Sequence, residues 1–204
     1  MMSDVNVINE FKEADALLKG HFILSSGRHS DTYLQCARVL MDPQRSERLC
    51  KALVQKFQNL YPAIVADIVV SPAMGGVIVG YEVARQMNLN SIFCERENGV
   101  FTLRRGFYLP QDARVVVVED VVTTGKSSLE SFNCVRDFGA KIVAELCLID
   151  RSNGTAEKEL GVPFVSLLTL AVESYAAEEV PENLAKIPAI KPGSRWLGKA
   201  NVGA

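Results

Sequence analysis

Residues Val115–Ser128 read VVVVEDVVTTGKSS. Four β-branched apolar residues, Val115 to Val118, lead into two adjacent carboxylates, Glu119 and Asp120. Val121 and Val122 follow, then Thr123, Thr124, Gly125, Lys126, Ser127 and Ser128. After the turn, apolar residues recur at Leu129, Phe132, Val135 and Phe138, a helical spacing. The stretch therefore predicts a buried strand ending in acids, a hydroxyl-rich turn, and the start of a helix.

A turn of this kind suits an anion. The first amides of a helix have no intrahelical acceptor, and the helix dipole is positive at that end. A phosphate can be held there by backbone N–H groups and by the hydroxyls of Thr123, Thr124, Ser127 and Ser128. The acids just before the turn would repel a phosphate, but they can accept hydrogen bonds from neutral hydroxyls beside it. A ribose 5-phosphate offers both groups, a phosphate at one end and a vicinal diol near the middle. Gly125-Lys126-Ser127 also matches the end of a nucleotide-triphosphate loop, but that loop requires a glycine where Asp120 stands. No G-x-G-x-x-G dinucleotide fingerprint occurs.

The chain of 204 residues is of the size of one domain. Its 48% hydrophobic and 23% charged content is that of a soluble globular protein. With a formal net charge of -2 it carries no electrostatic footprint for nucleic acid, and its apolar runs are too short to span a membrane. The cysteines, Cys36, Cys50, Cys94, Cys134 and Cys147, form no C-x-x-C pair and are odd in number. They read as free thiols in a reducing cytoplasm, with no structural metal site expected. The acidic N-terminus lacks the apolar core of a signal peptide.

Ser3–Lys19 reads as an amphipathic helix stopped by Gly20, and His21–Gln35 as two short strands around the Ser25–Arg28 loop. Asp42-Pro43 opens a helix running to about Asn59. Strands are expected at Asp67–Ser71, Ser91–Cys94, Arg114–Glu119, Lys141–Asp150 and Val165–Leu170, with helices at Val77–Met87 and from Gly125 to near Gly139. Glu95–Gly106 reads as a polar connection, and the chain from Pro181 as an irregular tail with Trp196 as its one anchor. Strands alternating with helices predict an α/β fold, a central, mostly parallel sheet flanked by helices. In such sheets ligands sit at the carboxyl ends of the strands. Ser71–Gly76, Glu95–Gly106, Glu119–Ser128 and Asp150–Gly154 all fall at such ends and are expected to converge.

Val115–Ser128 resembles the motif by which type I phosphoribosyltransferases bind 5-phosphoribosyl 1-pyrophosphate (PRPP). The resemblance implies that fold, a single domain over 1–204, with a small N-terminal hood formed by about residues 20–40 plus parts of the C-terminal segment. It implies that Glu119 and Asp120 hold the ribose hydroxyls and that Val121, Val122, Thr123, Thr124, Gly125, Lys126 and Ser127 wrap the 5-phosphate. Ser71-Pro72-Ala73-Met74-Gly75-Gly76 resembles the family's pyrophosphate loop, with Gly75 and Gly76 closing on the anion. Phe22, Leu24, Ser26, Gly27, Ser30 and Tyr33 match the hood signature of the orotate branch, which implies base contacts from Ser26 and Gly27. Asp150-Arg151 ends a strand, and an arginine can bind a planar carboxylate with two parallel hydrogen bonds. The resemblance puts Arg151 on the carboxylate of orotate and Thr123 against the base.

Glu95–Phe107 matches the mobile loop of that branch, but with Arg96, Arg104 and Arg105 where the better-known pattern has lysines and a histidine. It resembles a second branch with an E-R-E-x-G…L-R-R-G-F loop, which makes Arg96 the first choice for neutralising the leaving pyrophosphate, and Arg96 and Asp120 the expected catalytic pair. The implied reaction is transfer of the phosphoribosyl group from PRPP to orotate, giving orotidine 5'-phosphate in pyrimidine biosynthesis. Mg2+ is expected, held mainly by substrate and water, and a homodimer is implied. The rival readings are a non-catalytic PRPP-sensing regulator of the same fold and a phosphoribosyltransferase for another base.

Overall fold

The valine run becomes the middle of β6 (Arg114–Val122), the central strand of the sheet in a computed structural model that describes residues 2–24 and 26–192. Six strands lie in the order β5-β4-β3-β6-β7-β8, with β3 at Ile68–Pro72, β4 at Asn90–Glu97, β5 at Val100–Leu103, β7 at Lys141–Asp150 and β8 at Phe164–Thr169. All neighbours are parallel except β4 and β5.

Successive side chains of a strand point to opposite faces, so a central strand covered on both sides reads as a continuous apolar run. Val116 and Val118 enter one core, with Leu49, Leu53 and Phe57 of α3 (Pro43–Leu60) and Val79 and Val83 of α4 (Gly75–Met87). Val115 and Val117 enter the other, with Phe132 and Val135 of α5 (Lys126–Asp137) and Leu160 of α6 (Ala156–Leu160). All four valines are fully buried, each burial worth about 1.5–3 kcal/mol. Asp42 caps α3, its Oδ1 accepting from the N–H of Gln44 at 2.9 Å. α1 (Asp4–Glu13) is tied to α3 through Glu10, which accepts from Arg45 Nε and Arg48 Nε at 2.7 Å each.

A two-stranded antiparallel unit stands apart from the sheet, β1 (Leu17–Ile23) against β2 (His29–Leu34). The C-terminal segment completes it. Ile190 exchanges backbone hydrogen bonds of 2.8 Å with His21 and Ile23, and Tyr175 exchanges two of 2.8 Å with His29. The short helix α2 (Cys36–Leu40) leads from this unit to the sheet.

Four expectations are corrected. The first helix ends at Glu13, not Lys19, with Asp15 turning the chain at φ 49° and Leu17 and Leu18 pairing with Leu34 and Tyr33. The helical spacing of those leucines is outweighed by strand pairing. Glu95–Gly106 is no open connection: β4 continues to Glu97 and returns as β5 through Asn98-Gly99, both at positive φ, the turn that Asn-Gly favours in hairpins. β6 runs through both acids to Val122, because β7 offers it partners as far as Asp150. The segment after Pro181 holds α7 (Glu182–Ala185) and the Ile190 bridge, so its path is set by pairing. Trp196 lies outside the described residues.

Candidate active site

Three of the four strand-end segments meet in a polar cleft of about 180 Å3 lined by Pro72, Ala73, Gly75, Gly76, Arg96, Phe101, Glu119, Asp120 and Ser127. After β3 the chain turns directly into α4, with Ala73 N–H donating to Cys94 O at 2.8 Å and a cis peptide between Ala73 and Met74. The two glycines are demanded by what faces them. A Cβ on Gly75 would stand 2.8 Å from Asp120 Oδ1, and one on Gly76 would stand 3.0 Å from the carbonyl oxygen of Val118. Neither glycine has positive φ, so close approach is their purpose.

Strand alternation sends the two acids to opposite sides. Asp120 leans over Gly75 on the α4 side, and Glu119 points to the α5 side, where its Oε1 accepts from Ser128 Oγ at 2.9 Å. Burial raises the pKa of both. For Glu119 burial and the charge of Asp120 outweigh the Ser128 hydrogen bond and Arg96, and the value is pushed up to about 8. Ser128 Oγ also lies 2.6 Å from Oε1 of Glu145, a wholly buried acid on β7. The Ser128 hydroxyl, expected on phosphate, is instead buried and committed to these acids.

The turn after β6 is open. Gly125 takes φ 68° at the N-cap of α5, a conformation that glycine adopts without strain. Leu129 N–H donates to Gly125 O at 2.9 Å, so the amides of Lys126, Ser127 and Ser128 precede the first helical bond and face the anion-binding end. Thr123, Thr124 and Lys126 are exposed there, and Val121 and Val122 are still strand.

Arg96 comes from β4. Its guanidinium lies 4.1 Å from the Phe101 ring centroid, donates to Gly99 O at 2.8 Å and pairs with Glu130 of α5. Arg96 is the basic residue lining the cleft; Arg104 and Arg105 pair with Glu97 and Glu95 on the outer hairpin.

Arg151 continues from β7, its N–H donating to Val122 O at 2.8 Å. Its Nε is buried without a hydrogen-bond partner among the described residues, and burial lowers its pKa against the opposing influence of Tyr33 and Cys36. Burial raises the pKa of Tyr33, at the end of the hood strand, and the charges of Asp120 and Arg151 act on it in opposite directions. Ser26 and Gly27 are exposed at the hood tip, where Gly27 N–H donates to Leu24 O at 2.9 Å with φ 82°. Arg28 anchors that tip by donating from Nε to Ser174 Oγ at 2.9 Å.

Sequence reasoning missed Glu145, Phe101 and the tail residues that brace the hood. Glu145 sits inside the apolar stretch Lys141–Asp150, where a single acid at an inward-facing strand position was the available signal.

Residues 39–179 match the model of the phosphoribosyl transferase domain. The chain is 53% identical over 194 residues to an orotate phosphoribosyltransferase of Erythrobacter litoralis, covering 95% of this chain and 99% of that one. It is 55% identical over 195 residues to one of Sphingopyxis alaskensis, covering 95% and 98%. Among solved structures, an orotate phosphoribosyltransferase from Aeropyrum pernix superposes with a TM-score of 0.65 at 30% identity, covering 80% of this chain and 93% of that one.

Proposed function

This chain belongs to the phosphoribosyltransferase family, and we propose that, as an orotate phosphoribosyltransferase, it moves the 5-phosphoribosyl group of PRPP to N1 of orotate by the residues described above. The conjunction that carries this reading is the placing of two acids beside the open N-terminus of α5, with Arg151, its buried guanidinium Nε unpartnered among the described residues, at the end of the neighbouring strand β7. The 5-phosphate sits on the amides of Lys126–Ser128 with the hydroxyls of Thr123, Thr124 and Ser127 around it. Asp120 and Glu119 accept from the ribose diol. The pyrophosphate lies along Ala73–Gly76 with Arg96 facing it, and Ser26, Gly27, Tyr33 and Thr123 border the base. Arg151 takes the orotate carboxylate, a group that uracil and the purines lack.

The C1–O bond to pyrophosphate breaks as N1 of orotate approaches, and the ribose passes through an oxocarbenium-like state. This chain's residues align the two reactants, offset charge on the leaving group through Arg96, and exclude water. No side chain acts as a nucleophile. Among the described residues no three His, Cys, Asp or Glu side chains are grouped to hold a metal, whereas Asp120 and Glu119 offer acceptors at the cleft. A Mg2+ ion would be held chiefly by substrate and water, with Asp120 available to it as a protein acceptor. The ion would supply positive charge to the pyrophosphate oxygens.

The whole of 1–204 acts as one catalytic unit, hood included. Met74, at the N-cap of α4, and Ile78 and Tyr81 on that helix are exposed at 81%, 49% and 65%, and the hairpin exposes Val100. This apolar face supports a homodimer in which the β4–β5 hairpin reaches the neighbouring subunit. Five buried free thiols support a reducing cytoplasm, no described helix is long and apolar enough to cross a membrane, and the -2 charge speaks against nucleic acid.

The deciding experiment mixes the protein with PRPP, Mg2+ and a panel of bases and follows loss of orotate absorbance. Turnover with orotate and none with uracil or adenine is expected. Turnover with another base would reassign the substrate, and PRPP binding without turnover would favour the regulator. Sedimentation would check the dimer, which Tyr81→Glu should dissociate.

A further inference from the structure

The inner side of Glu119 ends in an acid that the transfer reaction does not reach. Glu145 lies on β7 with 0% exposure, under α5 and beside β6. Its Oε1 is 2.6 Å from Ser128 Oγ, and Ser128 Oγ is 2.9 Å from Glu119 Oε1. Ser128 is itself 1% exposed, and both contacts are direct. Among the described residues Glu145 Oε2 has no hydrogen-bond partner.

A hydroxyl carries one proton. Ser128 can donate to one of the two carboxyl groups, and the other contact is a hydrogen bond only if that carboxyl carries a proton of its own. Two ionised groups would leave one carboxylate oxygen pressed on the serine lone pairs at 2.6 or 2.9 Å. Glu145 is the group to carry the proton. It is enclosed by β6, β7 and α5, whereas Glu119 borders the cleft and feels Arg96. Burial and the charge of Glu119 also push the pKa of Glu145 well up. A leucine would fill the same space without an orphaned oxygen, so this acid is a cost to the core unless the site uses it.

We propose that Glu145, as a neutral carboxylic acid, is a positioning residue for phosphoribosyl transfer: it donates to Ser128, Ser128 donates to Glu119 Oε1, and Glu119 is thereby held with Oε2 turned to the ribose hydroxyls. This rests on the reading of Glu119 as an acceptor for the ribose diol. A carboxylate at a strand end can rotate; a donor fixed from behind removes that freedom before the sugar arrives. The relay needs a donor at 145, not a charge.

Glu145→Gln keeps an N–H donor and a similar shape, Glu145→Leu keeps the volume and removes the donor, and Ser128→Ala cuts the relay in the middle. KM for PRPP and for orotate, binding of ribose 5-phosphate by calorimetry, and thermal unfolding are measured for each. For Glu145→Leu and Ser128→Ala, we expect KM for PRPP and the ribose 5-phosphate Kd to rise about tenfold, the loss of one well-placed hydrogen bond, with KM for orotate unchanged. Glu145→Gln should stay within about threefold of the parent protein, and unfolding should show that all three fold. At about pH 9, where Glu119 is ionised, the infrared band of a protonated carboxyl group should be present in the parent protein and absent from Glu145→Gln. A Glu145→Leu protein with unchanged sugar affinity, a Glu145→Gln protein as impaired as Glu145→Leu, or no protonated-carboxyl band overturns the proposal. If the parent protein does not turn over orotate while ribose 5-phosphate binding still separates Gln from Leu, the substrate assignment fails and the relay stands.

Discussion

Asp120 Oδ1 stands 2.8 Å from the point that a Cβ on Gly75 would occupy, so the α4 N-terminus and the acidic end of β6 share one space. The atom in the way is the end of a side chain that can swing aside. Gly75→Ala should therefore fold, but with Asp120 displaced and KM for PRPP raised about tenfold. Gly76 faces the backbone oxygen of Val118 at 3.0 Å, which cannot yield in the same way. Gly76→Ala should instead lose stability, by about 1–3 kcal/mol. Thermal melts and kinetics on the two variants read the contrast.

The proposed function assigns Arg151 and Asp120 to different ligands, the orotate carboxylate and the ribose diol. Arg151→Ala should raise KM for orotate about 100-fold and leave PRPP binding nearly intact, since a paired carboxylate is lost. Asp120→Ala should do the reverse. Equal loss for both ligands in both variants would contradict the assignment; steady-state kinetics with each substrate varied decides it.

Arg96 is held by Glu130, Gly99 and Phe101 before any ligand is bound. Arg96→Ala should lower kcat about 100-fold, because a charge aligned on the leaving group acts in the transition state. Glu130→Gln frees Arg96 without removing it and should cost less. Single-turnover rates at saturating PRPP compare the two.

Glu119 gives stability a pH dependence. Burial raises its folded pKa to about 8, above its unfolded value. The folded chain then binds the extra proton between those values, so this contribution is intact at low pH and is lost as pH rises through about 8. Glu119→Gln should be no more stable than the parent at about pH 5 and gain roughly 1–3 kcal/mol on it by about pH 9, the advantage levelling off above that. Urea unfolding across the pH series checks the sign and the plateau.

The valine run, its terminal acids and the glycine-bearing turn were legible because each rests on local chemistry: alternation puts Val115–Val118 in two cores, and Gly125 takes the positive φ that starts α5. The hairpin at Asn98-Gly99 carries an equally local signal, since Asn-Gly takes the positive φ of a tight turn. Leu17 and Leu18 misled, since their helical spacing is also satisfied by pairing with Leu34 and Tyr33 across a sequence gap that no window contains.

From the sequence alone came the alternating α/β order, the central strand and the motifs that point to a sugar phosphate, because periodicity and turn chemistry act over a few residues. The tertiary structure decided what those residues face. It turned Glu119 toward Ser128 and Glu145, set Asp120 over Gly75, and braced the hood with Tyr175 and Ile190. Those outcomes depend on which strands lie side by side and how deeply a carboxyl group is buried, quantities that exist only once distant segments have packed.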